Sequence, residues 1–338
     1  MTLQQLRYLL GIADSGLNIT AAAERLYTSQ PGISKQLKLL EQELGIQLFT
    51  RKGKSLAAIT PAGHEVIARA RRILREVENI RSLASDMSEE QTGTLSIATT
   101  HTQARYVLPD VVKAFRNRYP KVSLELHQGT SEQIAELVAA NRVDFAIATG
   151  SQQLFPELVL LPCYQWDRIV LVPKGHELAE HKRGLTIEDL ARFPLVTYVF
   201  SMTGESSFKK AFAVVDLEPD VVFTARDADI IKTYVRMGMG VGVVASMAWE
   251  CQDRDDLVAL DAAGLFPRVT TWMGFRRDSV LRGYMVDFAE LFASHLLPDL
   301  TQRAANLESQ EEVDALFADM ALPLRGGCDD EFGDAKAK

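Results

Sequence analysis

The sequence contains little cysteine and no long apolar segment. Its three cysteines, Cys163, Cys251 and Cys328, are widely spaced and odd in number, so they predict neither a disulfide framework nor a zinc site. No apolar run approaches the roughly 18 residues of a membrane-spanning helix, and the first residues lack the apolar core of a signal peptide. These absences predict a cytoplasmic protein with no membrane partner.

The motifs of common enzyme classes are missing as well. The six histidines show no HExxH spacing, and neither a GxSxG motif nor a P-loop occurs. The glycines between Gly238 and Gly242 precede a predicted strand, whereas a dinucleotide-binding loop follows one. Cys163 has no histidine or acid associated with it, so we expect it to be a buried thiol. The sequence therefore predicts a protein without enzymatic activity, metal or cofactor.

Charge is distributed unevenly along the chain. The net charge of the whole sequence is −8, which by itself argues against binding to nucleic acid. Residues 1–75, however, contain eleven lysines and arginines against five acidic residues, so this part carries +6 and the rest carries −14. A basic N-terminal part on an acidic body is typical of a DNA-binding domain joined to a domain with another function.

The stretch from Asn18 to Arg51 has the pattern of two short helices separated by a tight turn. Asn18 begins the first helix, and Ser29 is placed to cap the second, which tolerates Pro31 in its first turn and ends at Gly45. Such a helix-turn-helix can read DNA, because glutamine bonds adenine edges while serine and lysine contact bases and phosphates. The alternative is an ordinary helical hairpin with a solvated face. The residues expected at the DNA are Thr28, Ser29, Gln30, Pro31, Ser34, Lys35 and Lys38.

A basic turn follows the second helix. Residues 48–60 have the pattern of two short strands around Lys52-Gly53-Lys54. Arg51 and Lys54 are placed to contact phosphate or to enter a minor groove of DNA. The alternative for both residues is a solvated turn.

A long helix is predicted from Thr60-Pro61 to about Met87. Its small or apolar positions recur at spacings of four and three, which is the heptad pattern of a coiled coil. One helix cannot bury such a seam alone, so the pattern predicts a dimer, unless the seam packs on the body of the same chain. The seam positions are Val66, Ala70, Ile73, Val77, Ile80 and Ala84.

From Thr94 onward, strands and helices alternate, which predicts an α/β fold with mostly parallel sheets covered by helices. The expected organisation is a DNA-binding domain at 1–60, a linker helix and hinge at 61–92, an effector-binding domain at 93–298 and a C-terminal extension at 299–338. The effector-binding domain comprises two subdomains with a cleft between them, one at about 93–162 with 269–298 and one at about 163–268. The extension holds a helix near Gln310–Asp319 and an acidic tail that we expect to be disordered.

The N-terminal part contains a set of spaced motifs: Ala21-Ala22, Ser29-Gln30-Pro31-Gly32-Ile33-Ser34, Leu40-Glu41, Leu44-Gly45 and Leu48-Phe49-x-Arg51. These motifs resemble the DNA-binding signature of LysR-type transcriptional regulators. This resemblance implies a winged helix-turn-helix, antiparallel pairing of the linker helices into a homodimer or homotetramer, and promoter DNA and RNA polymerase as partners. It also implies an effector-binding domain similar to periplasmic binding proteins. A solute-binding transport protein would share that body, but it would lack the basic N-terminal part.

Hydroxyl groups are concentrated where predicted strands give way to helices. In open α/β folds, ligands bind beyond the carboxyl ends of the strands. Three such junctions are Thr99-Thr100-His101-Thr102-Gln103, Thr149-Gly150 and Ser201-Met202-Thr203-Gly204. Threonine hydroxyls and the free N–H groups of helix starts suit a small anion. The alternative is that each threonine caps only its own helix.

The body further resembles the cysteine-regulon activators of the LysR family in IATTHTQARY, DFAIAT, LPCYQW, PLVTY and DADIIKTYVRMGMGVGV with ASMA. That resemblance implies an activator of sulfate-assimilation and cysteine-biosynthesis genes whose effector is N-acetylserine, O-acetylserine or sulfate. The segment FSMTGESS and the extended tail depart from the pattern of these activators. The alternative is therefore a regulator of a different regulon with another small anionic effector. The implied pocket residues are Thr100, Thr102, Gln103, Thr149, Trp166 and Thr203.

Overall fold

The computed structural model describes residues 1–53, 55–86, 92–140, 142–150, 152, 155–156, 158–180, 184–202 and 206–328. The chain divides into two compact units, Met1–Glu90 and Gln91–Lys338, and each is considered by itself. The predictions for Lys54, Thr203 and the acidic tail concern residues outside the described ranges.

The N-terminal unit is a winged helix-turn-helix followed by a long helix. The predicted helix boundaries are confirmed, because Asn18 Oδ1 accepts the N–H groups of Thr20 and Ala21 at 3.0 and 3.1 Å and Ser29 Oγ accepts that of Gly32 at 3.3 Å. Gly45 ends the second helix of the motif with a left-handed φ of 68°. The elements are α1 (Leu3–Asp14), α2 (Ile19–Arg25), α3 (Gln30–Leu44), β1 (Phe49–Lys52), β2 (Ser55–Ile59) and α4 (Pro61–Asp86).

The first turns of α4 belong to the core of this unit. Ala70 is 1% exposed and lies in the cluster that also contains Leu9 and Ile33, and Val66 packs against the same cluster. Arg71 of α4 forms an ion pair with Asp14 of α1. Ala70 is therefore covered within the chain, which corrects its assignment to the dimer seam, whereas Val66 is half-buried and its place in the seam stays a prediction.

The C-terminal unit contains two five-stranded sheets. Its strands are β3 (Gly93–Thr99), β4 (Val122–Gln128), β5 (Phe145–Thr149), β6 (Leu158–Trp166), β7 (Arg168–Pro173), β8 (Leu195–Tyr198), β9 (Val221–Ala225), β10 (Val241–Ala245), β11 (Leu257–Asp261) and β12 (Val269–Arg276). Sheet I has the order β4-β3-β5-β12-β6, and sheet II has the order β11-β7-β10-β8-β9. We call the parts built on them subdomains I and II.

Both sheets are mixed rather than mostly parallel, which corrects the prediction. In sheet I, β12 runs antiparallel to both β5 and β6. In sheet II, β7 runs antiparallel to β10 and β11. The antiparallel strands β7 and β12 each come directly after a point where the chain crosses from one sheet to the other. The first crossing lies at Asp167, beyond the predicted boundary near 162, because β6 stays paired with β12 up to Trp166.

The helices cover the faces of the two sheets. The helical segment between β3 and β4 is divided into α5 and α6 at Val107, because Pro109 lacks an N–H donor and its ring would clash with the preceding turn. No described helix is long and apolar enough to cross a membrane. The helices are α5 (His101–Tyr106), α6 (Leu108–Arg118), α7 (Ser131–Ala139), α8 (Ile187–Leu190), α9 (Ser207–Val214), α10 (Ala228–Arg236), α11 (Gly283–Phe292), α12 (Pro298–Ala305) and α13 (Gln310–Phe317).

Residues after α13 run across the crossing between the subdomains. Gln165 of β6 exchanges backbone hydrogen bonds with Pro323 and Arg325 at 2.9 and 2.8 Å, and Ser246 Oγ donates to the Arg325 carbonyl at 3.2 Å. The backbone at Gly327 lies so close to that of Trp249 that an added Cβ would be 2.2 Å from the Trp249 carbonyl oxygen. We call residues 323–328 the C-terminal strap.

The strap ends in a disulfide between Cys328 and Cys251, which corrects the expectation that no cysteines pair. The two residues are 77 positions apart in the sequence, and their Cα atoms are 5.1 Å apart. Only the tertiary fold brings them together. The remaining cysteine, Cys163, is a buried thiol as expected, and burial raises its pKa.

Candidate functional site

The start of α3 presents polar side chains to solvent. Gln30, Lys35 and Lys38 are exposed, and Ser34 is half-buried with its Oγ 3.4 Å from Gln30 Nε2. Ser29, which is exposed, is held by its capping bond. A helix start that exposes an amide, a hydroxyl and two cations has the chemistry needed at base edges and phosphates.

The turn before α3 adds a residue that the sequence pattern did not suggest. Tyr27 has a left-handed φ of 50°. Its side chain is 98% exposed, next to the half-buried Thr28. A non-glycine residue in this conformation is uncommon. The tight turn between the two helices imposes it, since Thr28 N donates back to the Ala23 carbonyl at 3.0 Å.

Arg51 of β1 has a partner within the chain. Its Nη2 lies 3.4 Å from Glu41 Oε2, and its side chain is 44% exposed. Glu41 also accepts the Leu48 N–H at 2.9 Å, so it ties the wing to α3. An exposed ion pair of this kind contributes little to stability, on the order of 0–1 kcal/mol, and can be exchanged for a phosphate.

The ends of several strands of sheet I and of sheet II meet at the cleft of the C-terminal unit. On sheet I, the ends of β3 and β5 lie beside the beginning of β12, where Thr149 pairs with Thr271 and Thr271 pairs with Tyr164. On sheet II, the end of β10 lies beside the beginning of β7, where Ala245 pairs with Arg168. We call these the cleft edges. They are joined at the crossing by the bond from Ser246 N to the Asp167 carbonyl, 2.9 Å long.

The hydroxyl of Thr100 is not used for capping. Thr100 occupies the N-cap position of α5 but makes no side-chain capping bond, whereas Thr130 and Thr186 of the same unit cap their own helices with complete capping boxes. The preceding Thr99 is fully buried, and its Oγ1 has no hydrogen-bond partner among the described residues. The alternative that each threonine serves only its own helix therefore fails at the start of α5.

Gln103 holds other residues of the cleft rather than offering a free amide. The side chain is 1% exposed. Its Oε1 accepts the Tyr164 hydroxyl, and its Nε2 donates to Thr271 Oγ1 at 3.4 Å and lies 3.8 Å from Met247 Sδ. Met247 follows the end of β10, so Gln103 joins the two cleft edges.

Thr149 and Trp166 end two strands of sheet I; the strand before Thr149 was predicted, and the strand that ends at Trp166 was not. Thr149 is half-buried at the end of β5. Trp166 is 2% exposed at the end of β6, and its indole N–H has no partner among the described residues. Both therefore lie on the cleft edge of sheet I.

The cleft edge of sheet II is built around Tyr198. Burial raises the pKa of Tyr198, while hydrogen bonds from Ala245 and Thr102 and the charge of Arg168 oppose that rise. Thr102 belongs to α5 and the other groups to subdomain II, so the threonine lies at the contact between the edges. Arg168 is 3% exposed, and its Nε and Nη1 are buried without a partner among the described residues.

A cluster of charged groups lies where α5 meets α10. Tyr106 of α5 donates to Asp229 of α10 at 2.8 Å, and Lys232 donates to Asp253 at 2.9 Å. His101, Asp227 and Asp229 offer ligand atoms within 4.8 Å of one another. The carboxylate of Asp229 lies 3.7 Å from Lys232 Nζ and 3.7 Å from Arg105 Nε.

Sequence reasoning missed four residues that shape the cleft. Tyr164 and Thr271 lie on strands whose pairing the sequence pattern did not predict. The positions of Tyr198 and Arg168 at the cleft depend on the register of sheet II, which the pattern did not predict either. Arg168 begins a strongly apolar segment, RIVLVP. A single charged residue at the start of an apolar segment is the sequence feature that could have indicated a binding role for Arg168.

Comparison with known proteins places both units in one family. Residues 3–64 match the family of bacterial regulatory helix-turn-helix proteins of the lysR type, and residues 88–297 match the LysR substrate binding domain. The chain is 48% identical to the transcriptional regulator CysB of Haemophilus influenzae, over 96% of this chain and 100% of that one. It is 45% identical to SsuR of Burkholderia cenocepacia, covering 88% and 96% of the two chains. With Cbl of Escherichia coli the identity is 41%, over 93% and 99%.

Solved structures show the same folds. The cofactor-binding domain of the Cbl transcriptional regulator superposes with a TM-score of 0.61 at 40% identity, over 65% of this chain and 97% of that one. Full-length OxyR from Pseudomonas aeruginosa gives a TM-score of 0.64 at 21% identity, over 88% and 97%. For CbnR complexed with its target DNA the TM-score is 0.58 at 22% identity, over 86% and 99%. The last two likenesses concern the fold alone.

Proposed function

The chain belongs to the LysR family of bacterial DNA-binding transcriptional regulators, and we propose that it activates sulfate-assimilation and cysteine-biosynthesis genes. Its effector would be N-acetylserine, O-acetylserine or sulfate. The high identity to CysB and Cbl over nearly the whole chain supports this regulon. A regulator of another regulon with a different small anion is the second candidate, supported by the departure of FSMTGESS from the pattern of these activators.

Promoter DNA is the proposed partner of the N-terminal unit. The exposed Gln30 with Ser34 supports base contacts, and the exposed Lys35, Lys38 and Arg51 support phosphate contacts. A homodimer or homotetramer would hold two such units on two half-sites. As an activator, the protein would also contact RNA polymerase at the promoter.

The observation that carries the effector proposal is that Thr100 makes no capping hydrogen bond, at a strand end where other buried polar groups lack partners among the described residues. Thr99 Oγ1 and Trp166 Nε1 are buried without partners among the described residues, and leaving such groups unpaired costs about 1–3 kcal/mol each. A small oxyanion at this end of sheet I would offer acceptor oxygens to groups of this kind. Thr100, Thr102 and Thr149 are the proposed contacts, and Gln103 would position Tyr164 and Thr271.

A ligand in this cleft can regulate DNA binding only by binding one arrangement of the subdomains better than another. N-acetylserine and sulfate are small enough to lie between the two edges and carry the required negative charge. Binding would then shift the population of full-length protein toward the arrangement that activates transcription.

The experiment is a calorimetric titration of full-length protein with sulfate, N-acetylserine and O-acetylserine, followed by fluorescence anisotropy with promoter DNA in the presence of each ligand. We expect saturable binding of at least one ligand and a ligand-dependent change in DNA affinity. Thr149→Val should weaken the ligand by about 1–3 kcal/mol and leave ligand-free DNA affinity unchanged. If none of the three ligands binds, the second candidate replaces the first.

A further inference from the structure

Arg168 is a buried cation with no counter-ion among the described residues. Its side chain is 3% exposed, and Nε and Nη1 have no hydrogen-bond partner among the described residues. Burial lowers its pKa to about 10, so the guanidinium remains protonated at neutral pH. Charged side chains are almost never fully buried unless they are paired, because removing a charge from water is costly.

The surroundings of Arg168 offset only part of this cost. Its guanidinium carbon lies 5.8 Å from the Trp166 ring centre and 5.5 Å from that of Phe266, which provides cation–π attraction. Neither ring accepts a strong hydrogen bond. The neighbouring Asp167 is bonded to Arg268, with Nε 3.3 Å from Oδ2.

A second buried cation of the same unit shows the usual arrangement. Lys232 is 2% exposed, and its Nζ lies 2.9 Å from Asp253 and 3.2 Å from Glu250. Burial by itself therefore does not explain why Arg168 lacks an acid. The difference is its position, since Arg168 lies on a cleft edge, opposite Ala245 and within electrostatic range of Tyr198.

Other unsatisfied groups lie on the facing edge. Trp166 Nε1 and Thr99 Oγ1 are buried without partners among the described residues, and Trp166 is in ring contact with Arg168. The two N–H groups of the Arg168 guanidinium and the indole N–H of Trp166 match an acceptor that carries several oxygens and a negative charge.

We propose that Arg168 determines the specificity of the cleft for anions, by donating its Nε–H and an Nη–H to two oxygens of a carboxylate or sulfate group. The inference rests on the effector site proposed above. The planar guanidinium fork suits two oxygens of one group better than a lysine ammonium does. Helix starts supply only partial positive charge, so Arg168 adds a formal charge to the site.

The test compares full-length wild type with Arg168→Met and Arg168→Lys by calorimetry with sulfate and N-acetylserine and by thermal melting without ligand. We expect Arg168→Met to bind both anions roughly 10-fold or more weakly, and Arg168→Lys to recover part of the loss. The ligand-free melting temperature of Arg168→Met should equal or exceed that of wild type, because an unpaired buried charge is removed.

Arg268→Met is the matched control, since Arg268 lies at the other crossing strand, is 55% exposed and is paired with Asp167. Its anion affinity should remain that of wild type. Arg168→Met with wild-type anion affinity would overturn the inference, as would a much lower ligand-free melting temperature, which would assign the side chain to the core. If Thr149→Val loses binding while Arg168→Met retains it, the effector site stands and only this inference fails. Wild type that binds neither anion contradicts both.

Discussion

Arg105 of α5 and Glu250 form an ion pair that joins subdomains I and II, with Arg105 Nη2 3.1 Å from one carboxylate oxygen and 3.3 Å from the other. The pair is partly exposed, at 45% for Arg105 and 26% for Glu250, so it contributes on the order of 0.2–1 kcal/mol. It favours the arrangement in which the two cleft edges lie together. Arg105→Gln should therefore weaken sulfate binding by roughly 1.5-fold to 5-fold.

Calorimetry on full-length protein measures this effect, and Arg116→Gln provides the control, because Arg116 is exposed on α6. A double-mutant cycle with Glu250→Gln should give a coupling energy of the same size. Identical sulfate affinities of wild type, Arg105→Gln, Glu250→Gln and the double mutant would show that the pair does not influence the cleft.

The second prediction separates base contacts from phosphate contacts on α3. Lys35→Ala should weaken binding to every DNA sequence similarly and reduce the slope of log K against log salt by about one unit, because the exposed lysine neutralises a phosphate. Gln30→Ala should relax selectivity at one base pair, at a cost of about 1–3 kcal/mol. Anisotropy titrations with operator variants at several salt concentrations measure both effects.

Lys113→Ala is the control for that experiment, since Lys113 is an exposed lysine of the C-terminal unit. Its DNA affinity and salt slope should match wild type. If Lys35→Ala and Gln30→Ala change the affinity for all variants by the same factor, the assigned roles are wrong.

A third prediction concerns the exposed apolar residues of α4. Ile73 and Ile80 are 39% and 61% exposed, and Val77 lies between them on the same helix face. Ile80→Glu should place unpaired carboxylates in a dimer seam, so the sedimentation coefficient should fall to that of the monomer and operator binding should weaken. Ala68→Glu adds the same charge at an exposed position about 140° around the helix from Ile73. A mutant Ile80→Glu that sediments like Ala68→Glu and wild type would refute the seam.

The fourth prediction concerns the disulfide between Cys251 and Cys328. It closes a long loop and holds the C-terminal strap, whose Arg325 guanidinium lies 5.0 Å from the Tyr164 ring centre. A bond of this kind stabilises a domain by about 2–4 kcal/mol. Reduction with a dithiol, which forms two thiols and an oxidised reagent, should lower the melting temperature of wild type and speed tryptic cleavage at Arg325.

Cys328→Ser supplies the control for the reduction experiment. Its melting temperature should be close to that of reduced wild type, and adding the dithiol should not change it further. Equal melting temperatures of wild type with and without dithiol, at confirmed reduction, would show that the strap holds its place without the bond.

Local patterns in the sequence determined the N-terminal unit almost completely. Local sequence patterns predicted the helix caps at Asn18 and Ser29, the helix end at Gly45 and the burial of Ile33 in α3, and the structure has all of them. Each of these features depends on residues within one or two helical turns of one another, so periodicity and capping residues predict them without knowledge of the fold. The hydroxyl-rich strand ends of the cleft at Thr100 and Thr149 follow from the same kind of pattern.

Tertiary structure decided what depends on distant pairing. The antiparallel return of β12 between β5 and β6 puts Thr271 beside Thr149, and the pairing of β7 with β10 puts Arg168 on the cleft edge. The packing of α1 removes Ala70 from the dimer seam, and the strap brings Cys328 to Cys251. Register and disulfide partners are set by contacts between residues far apart in the chain, which local propensity does not encode. The sequence by itself therefore determined the family and the kinds of elements, while the fold alone decided which side chains lie on the cleft edges.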